Sequence, residues 1–362
     1  MAPYLVVFGW LAFCSVVQNT KQFSYLKPFF FILSALLLIF FAGFREAGVG
    51  ADDWNYVTKF LEVPDISYWI NGDFTYSFAE TWMEPAYIAL GAIVRLFTSN
   101  YTYLFLAVSL LSVGLATYNY QRYSKYVFLV LILFFVHTYL YRDINQIRAA
   151  IAAAIGLFLI PQIYHRQHFR IICTIFLAGA FHMASLSYFL VYFISFLKFT
   201  NKRLVVGYVI SIILGLLGVS SLLLSVLPNL GHVTTKLTGY ANSGHAETVS
   251  LLDITNIKNS FILLLSVALR SRIKDKVIYF DTMLLFYFLA VTWRIAFSDF
   301  GIFAARVATF FSIVEVLLIP ALIYAFRQKF IMTIFILLYA FLTLYLNLYI
   351  KEGRFPYEFS IV

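Results

Sequence analysis

Five arginines break the charge pattern of this chain, and arginine is the side chain best shaped to hold phosphate. Arg45, Arg142, Arg148, Arg294 and Arg306 lie at or near the ends of long apolar stretches, apart from the basic clusters in the other connections. A guanidinium ion in or near hydrocarbon is costly, so it usually faces a cavity and a partner. It grips phosphate through two parallel charge-assisted hydrogen bonds, in a geometry lysine does not match. Converging on one face of a helical bundle, these groups would form a basic, partly dry chamber for phosphate or pyrophosphate. The structural alternative is that each arginine snorkels to the interface or pairs with Asp143, Asp299 or Glu315.

Residues 45–84 hold a second concentration of chemistry. They carry eight of the chain's 17 acidic side chains (Glu46, Asp52, Asp53, Glu62, Asp65, Asp73, Glu80, Glu84) and only two basic ones, Arg45 and Lys59. Trp54, Tyr56, Tyr68, Trp69, Tyr76 and Trp82 are interleaved with them. A connection that only joined two helices would need a handful of residues. Aromatic faces stack on sugar rings while carboxylates accept hydroxyl hydrogen bonds, so the composition suits glycan binding. It equally suits a small aromatic core that holds the loop against the lipid headgroups.

The elements that must position these residues are membrane helices. The chain is 62% hydrophobic and 12% charged, with a mean hydropathy of +0.86, whereas a soluble domain has about 25% charged residues. Apolar runs of spanning length recur at 3–19, 28–44, 101–120, 125–141, 143–163, 204–227, 252–271, 277–297, 302–325 and 330–350. The segments 84–98 and 168–198 are ambiguous. The first run has no basic segment before it, so a retained helix is expected rather than a cleaved signal peptide. Cys14 and Cys173 fall in apolar runs, which argues against a structural disulfide. No HExxH, CxxC, P-loop or dinucleotide fingerprint is present, so no metal and no cofactor is expected.

Basic residues orient the chain. Lys21/Lys27, Arg122/Lys125, Arg166/Arg170, Lys198/Lys202/Arg203, Arg270/Arg272/Lys274/Lys276 and Arg327/Lys329 make up 15 of the 26 Lys and Arg. By the positive-inside rule they mark the cytoplasmic face. The acidic 45–84 loop then lies outside with 137–147, 228–251, 298–301 and the C-terminus. For this to close, 84–98 must not cross, and 168–198 must form a hairpin or re-entrant pair with His182 near its outer tip. The expected architecture is all-α: a polytopic protein of roughly 12 transmembrane helices, a re-entrant or interfacial helix and a large acidic external loop. Residues 1–362 read as a single integral membrane domain, with no repeat or linker to divide it. The polar 228–251 loop, with His232 and His245, and the basic YHRQHFR turn at 164–170 complete the connections.

Several short motifs occur in order along this scaffold. GFREAGVGADDWNY (Gly43 to Tyr56), EPAY (Glu84 to Tyr87), RDINQIRAAIA (Arg142 to Ala152), FHMAS (Phe181 to Ser185) and ARVATFF (Ala305 to Phe311) together resemble the EpsG family of exopolysaccharide and O-antigen repeat-unit polymerases. Two adjacent acids, Asp52 and Asp53, stand where the family motif has one. No tyrosine follows closely after Arg306.

That resemblance implies a Wzy-type glycosyltransferase of polysaccharide biosynthesis. Donor and acceptor would both be undecaprenyl-diphosphate-linked oligosaccharides, the growing glycan passing to the incoming unit as undecaprenyl diphosphate leaves. It implies a bacterial cytoplasmic (inner) membrane location with the site facing the periplasm, membrane lipid and a chain-length regulator protein as partners, and no nucleic acid. Arg142, Arg148 and Arg306, supported by Arg45 and Arg294, would stabilise the diphosphate without a metal. His182, Asp52 and Glu84 are the candidate bases. His182 could instead be tied to a backbone carbonyl. Glu84 precedes Pro85 at a helix start, where a carboxylate favours the exposed N–H groups. Gln146, one helical turn from Arg142, with Trp54, Tyr56 and Trp82, would contact sugar. Competing readings are a lipid-linked oligosaccharide flippase and an O-antigen ligase-like transferase; no internal repeat of the kind common in transporters is visible.

Overall fold

A chain this apolar must satisfy its backbone polar groups within itself, and helices do so segment by segment. The computed structural model describes residues 1–18, 20–72, 75–77, 82–220, 248–350 and 356–360, and among them the regular structure is helical. Five helices are long and apolar enough to cross a membrane: Gln22–Gly43, Tyr101–Tyr123, Ile147–Tyr164, Gly301–Ala325 and Lys329–Ile350. Shorter apolar helices accompany them, at Ala2–Val17, Pro85–Arg95, Val127–Tyr139, His168–Phe181 and Met183–Ile194. This is a polytopic membrane protein, and its apolar helices are of uneven length among the described residues. The ambiguous 84–98 segment forms only the 11-residue helix Pro85–Arg95, about 16 Å long at 1.5 Å per residue and too short to cross. The 168–198 segment is broken at His182. His232 and His245, Asp73 and Glu80 lie outside the described residues.

The chain groups into two compact units. In the first (Met1–Leu159, Ile172–Met183 and Phe326–Val362), the Tyr101–Tyr123 helix packs on both Lys21–Gly43 and Ile147–Gly156. Its serines grip its neighbours: Ser109 Oγ donates to the Ile39 carbonyl at 2.9 Å, and Ser112 Oγ to the Asp143 carboxylate at 2.6 Å. Ser112 sits halfway along its helix, so the turn around Asp143 is sunk deep among protein groups. Irregular backbone is tolerated at such depth only where protein surrounds it.

Loop contacts within this unit join segments that the charge pattern assigns to a common face. Lys27 Nζ donates to the Lys125 carbonyl at 2.8 Å. At the other end the Asp52 N–H donates to Asn145 Oδ1 at 2.9 Å. There the C-terminal residues form a strap. Glu46 N–H donates to the Glu358 carbonyl at 2.9 Å and Ser360 N–H to the Phe44 carbonyl at 2.8 Å, across an isolated antiparallel bridge between Arg45 and Phe359. Tyr357 anchors the strap: its ring stacks on Phe41 with centroids 4.0 Å apart, and its hydroxyl donates to the Phe41 carbonyl at 2.7 Å.

In the second unit (Ile160–Ile171 and Ala184–Ala325), Phe280–Ala296 is the central helix, packed against Asn201–Leu217, Ile254–Ile273 and Gly301–Phe311. Phe280, Leu284, Phe286 and Tyr287 are fully buried along it. At one end Arg270 forks onto Asp281 and donates to Asn201. At the other, Val249 N–H donates to the Ser298 carbonyl at 2.8 Å.

If the Tyr357 ring anchors the strap, Tyr357→Ala should cost about 3 kcal/mol, as core aromatic truncations do. Tyr357→Phe, which loses one hydrogen bond, should cost about 1 kcal/mol. Thermal melts of the purified protein in detergent would read the difference.

Candidate active site

Arg45 ends the Lys21–Gly43 helix region and turns its guanidinium inward, where it is 1% exposed. Its Nε and one terminal nitrogen donate to the two carboxylate oxygens of Asp53 at 3.2 and 2.7 Å, and the other terminal nitrogen to the Ala42 carbonyl at 2.5 Å. The guanidinium also lies over the Phe105 ring, 4.0 Å from its centroid. Asp53 further accepts the Gly50 N–H at 2.7 Å. Two glycines make this loop possible. Gly48 has φ +107°, and a Cβ on Gly50 would collide with the Ile144 carbonyl. Of the two adjacent acids, Asp53 is the one on the arginine; Asp52 is half-buried and its N–H is held by Asn145.

The Arg45–Asp53 fork starts the short Asp53–Glu62 helix, whose inner face buries Tyr56, Val57 and Phe60. Arg95 pins that helix by donating to the carbonyls of Phe60 and Leu61 at 3.3 and 2.9 Å. Tyr56 thereby reaches a second ion pair, Arg148 with Glu84, bonded directly between Arg148 Nη1 and Glu84 Oε2. The other oxygen of Glu84 accepts the Met183 N–H at 3.0 Å. His182, half-buried, is the preceding residue. The Arg148 guanidinium lies 5.8 Å from the Tyr56 ring centroid, and the Tyr56 and Tyr87 rings are 5.8 Å apart. Burial pushes the Tyr56 phenol above its ordinary pKa, with the Arg148 charge opposing the shift.

Two polar atoms here are buried without a hydrogen-bond partner among the described residues: Arg148 Nε and the Tyr87 hydroxyl. Most buried polar groups are satisfied, so an adjacent unsatisfied pair calls for an explanation, a ligand being one. Tyr87 was not singled out by sequence reasoning. Its place in EPAY, two residues after Pro85 on the helix that Glu84 starts, was the available signal.

The remaining sequence candidates take varied positions. Arg142 is buried and donates to the Ala149 carbonyl at 3.2 Å, bracing the sunken turn. Gln146 stands just before the Ile147–Gly156 helix, makes no capping hydrogen bond with its side chain, and is half-buried. Trp54 and Trp82 are exposed, and Trp82 has φ +56°. Arg294 and Arg306 belong to the second unit. There Arg294 Nε donates to Asn256 Oδ1 at 2.9 Å, with Asp253 at 3.5 Å, and Arg306 is exposed. The structural alternative for Glu315 is realised with a lysine, since Lys258 Nζ donates to it at 2.7 Å. Among the described residues no cluster of three His, Cys, Asp or Glu side chains is placed to hold a metal ion.

Breaking one side of a buried ion pair typically costs 3–5 kcal/mol, and removing both partners far less. Arg45→Met alone should therefore lower stability by about 3–5 kcal/mol, and Arg45→Met/Asp53→Leu should recover most of that loss in a thermal or denaturant melt. Simple addition of two single losses would contradict the pairing.

Comparison with known proteins agrees with the ordered motifs. The family model described as the EpsG family matches residues 28–359. The amylovoran biosynthesis protein AmsC of Erwinia amylovora is 27% identical over 360 residues, covering 96% of this chain and 94% of that protein. No solved structure matches the chain.

Proposed function

Since the chain belongs to the EpsG family, we propose that it polymerises exopolysaccharide repeat units carried on undecaprenyl diphosphate at the outer face of the bacterial cytoplasmic membrane. The relative named for amylovoran biosynthesis supports the polysaccharide class. The observation that carries the mechanism is the Arg148–Glu84 pair beside two donors without a partner among the described residues, Arg148 Nε and the Tyr87 hydroxyl.

In this reading, an acceptor sugar hydroxyl attacks the anomeric carbon of the growing chain. The carbon–oxygen bond to the diphosphate breaks, its electron pair departs with undecaprenyl diphosphate, and the hydroxyl proton passes to a base. Negative charge builds on the leaving diphosphate, and fixed donors in a poorly hydrated site stabilise it best. Arg148 supplies those donors, and Tyr87 adds one. Glu84 is a positioning residue, because one of its oxygens holds Arg148 and the other the Met183 N–H. That second bond fixes the backbone next to His182, the first candidate for the base. Asp52 lies on the half-buried edge of the same loop as the Arg45–Asp53 fork and is the rival base, or orients the acceptor hydroxyl. Arg45 and Arg142 hold the loop and the turn, while Trp54 and Trp82 offer exposed rings for sugar.

The test is synthesis in vitro, with purified protein, its lipid-diphosphate-linked repeat unit and EDTA. The wild type should yield a glycan ladder that EDTA leaves intact, and Arg148→Ala should cut the rate by about 100-fold or more, the typical loss for one charge-stabilising donor. Transfer of the substrate between leaflets of a vesicle without any ladder would make the protein a transporter and move Arg148 from catalysis to binding. Arg294→Ala and Arg306→Ala, assayed separately, decide whether either residue matters to the reaction.

A further inference from the structure

The second unit contains a cavity that the proposed reaction does not use. It is an open pocket of about 330 Å³, lined by the polar side chains of Arg166, Arg270, Ser195 and Asp281 and by apolar ones including Leu197 and Leu285. Pockets that take small ligands begin at about this size. Arg166 ends the Leu159–Tyr164 helix in a left-handed conformation (φ +55°), with the Gln167 N–H donating to the Gln162 carbonyl at 2.9 Å and the Arg166 N–H to the Ile163 carbonyl at 3.2 Å. Ser195 fixes its side chain: its hydroxyl and its carbonyl each accept from one terminal nitrogen of Arg166, at 2.9 and 2.7 Å. The Phe196 ring lies under the same guanidinium, 5.2 Å from it.

Arg270 is fixed as firmly. Its Nε and one terminal nitrogen fork onto Asp281 at 2.8 and 2.7 Å, and the other terminal nitrogen donates to Asn201 Oδ1 at 3.0 Å. A guanidinium has five N–H donors. Arg166 commits two to Ser195 and Arg270 three to Asp281 and Asn201, so both retain donors for a ligand. With two guanidiniums and one carboxylate, the wall carries a net charge of +1.

The surroundings choose the ligand. Leu197, Phe196, Ile278 and Tyr164 are large apolar side chains left exposed near the cavity, which in a membrane protein suits contact with acyl chains. Lys198, Lys202, Arg203, Arg272, Lys274 and Lys276 flank it in sequence, and such clusters mark the cytoplasmic leaflet, where anionic lipids concentrate. We propose that this cavity binds the phosphate of an anionic phospholipid from that leaflet, with Arg166 and Arg270 on the phosphate oxygens and the acyl chains along the exposed apolar rim. A choline headgroup would bring a fixed positive charge to a pocket whose lining already carries a net charge of +1, so a net-anionic lipid is favoured. A soluble phosphate would gain nothing from the apolar wall.

Native mass spectrometry of the full-length protein from mild detergent tests this, with phosphatidylglycerol and phosphatidylcholine as probes and inorganic phosphate as competitor. The wild type should retain phosphatidylglycerol over phosphatidylcholine and keep it in millimolar phosphate. Arg166→Gln should reduce retention about tenfold, the worth of one charge-assisted hydrogen bond. Arg270→Gln/Asp281→Asn, which removes a cation without stranding its carboxylate, should reduce it similarly while preserving the elution profile of a folded protein. Arg122→Gln, in the first unit and apart from the cavity, should leave retention unchanged. Equal retention of the two lipids, displacement by inorganic phosphate, or an equal loss in Arg122→Gln would each overturn the proposal.

Discussion

A guanidinium that leaves water must find its counter-charge, and the arrangement of the first unit depends on where Arg45 finds one. At 1% exposure it has no solvent to fall back on. Asp53 meets it with both carboxylate oxygens, and the Phe105 ring closes one face. Such a pair contributes little net stability compared with apolar packing. Its effect is on conformation: the acid must return to the arginine over eight residues, and only a tight, glycine-bearing loop achieves that. The short Asp53–Glu62 helix takes its position from this fork.

Three elements lock onto it. Gly50 lies flush against the Ile144 carbonyl, which ties the loop to the sunken turn. The C-terminal strap hydrogen-bonds to Phe44 and Glu46 on either side of Arg45. The Asp53–Glu62 helix then carries Tyr56 to Arg148. One ion pair, fully committed and buried, thus sets the geometry of a second, half-committed one, and the division has chemical sense. Arg45 has its terminal nitrogens and Nε all engaged, whereas Arg148 Nε has no partner among the described residues. A cation that must receive a ligand cannot also be consumed by the scaffold.

The sequence was legible where a single local property decided the outcome. Long apolar runs became helices, 84–98 proved too short to cross, and His182 stands at a break in its segment. The ordered motifs led to the family. What could not be read locally depended on partners distant in sequence. Asp52 and Asp53 are equivalent as letters; the approach of Gly50 to Ile144 and of Arg45 to Phe105 selects Asp53. Tyr87 looked like one more aromatic in a chain with 26 tyrosines, and only its burial beside Arg148 without a partner sets it apart. The unevenness of the spans escaped reading because the run 125–141 is largely apolar, with Lys125 at its start and His137 near its end, yet the helix passes into a π turn at Phe134–Tyr139 before the sunken turn. That shape is imposed by contacts such as Ser112 with Asp143 and Asn347 with the Val136 carbonyl.

The central claim is that Arg148, presented by Glu84 and flanked by Tyr56 and Tyr87, receives the diphosphate. The most direct measurement is a cryo-electron microscopy structure of the protein in a lipid nanodisc with a non-transferable isoprenyl diphosphate sugar. The account predicts a phosphate oxygen about 2.8 Å from Arg148 Nε, the distance of a charge-assisted hydrogen bond, with the Tyr87 hydroxyl directed at the same group. Diphosphate density well away from Arg148, with Nε still unpartnered, would contradict it.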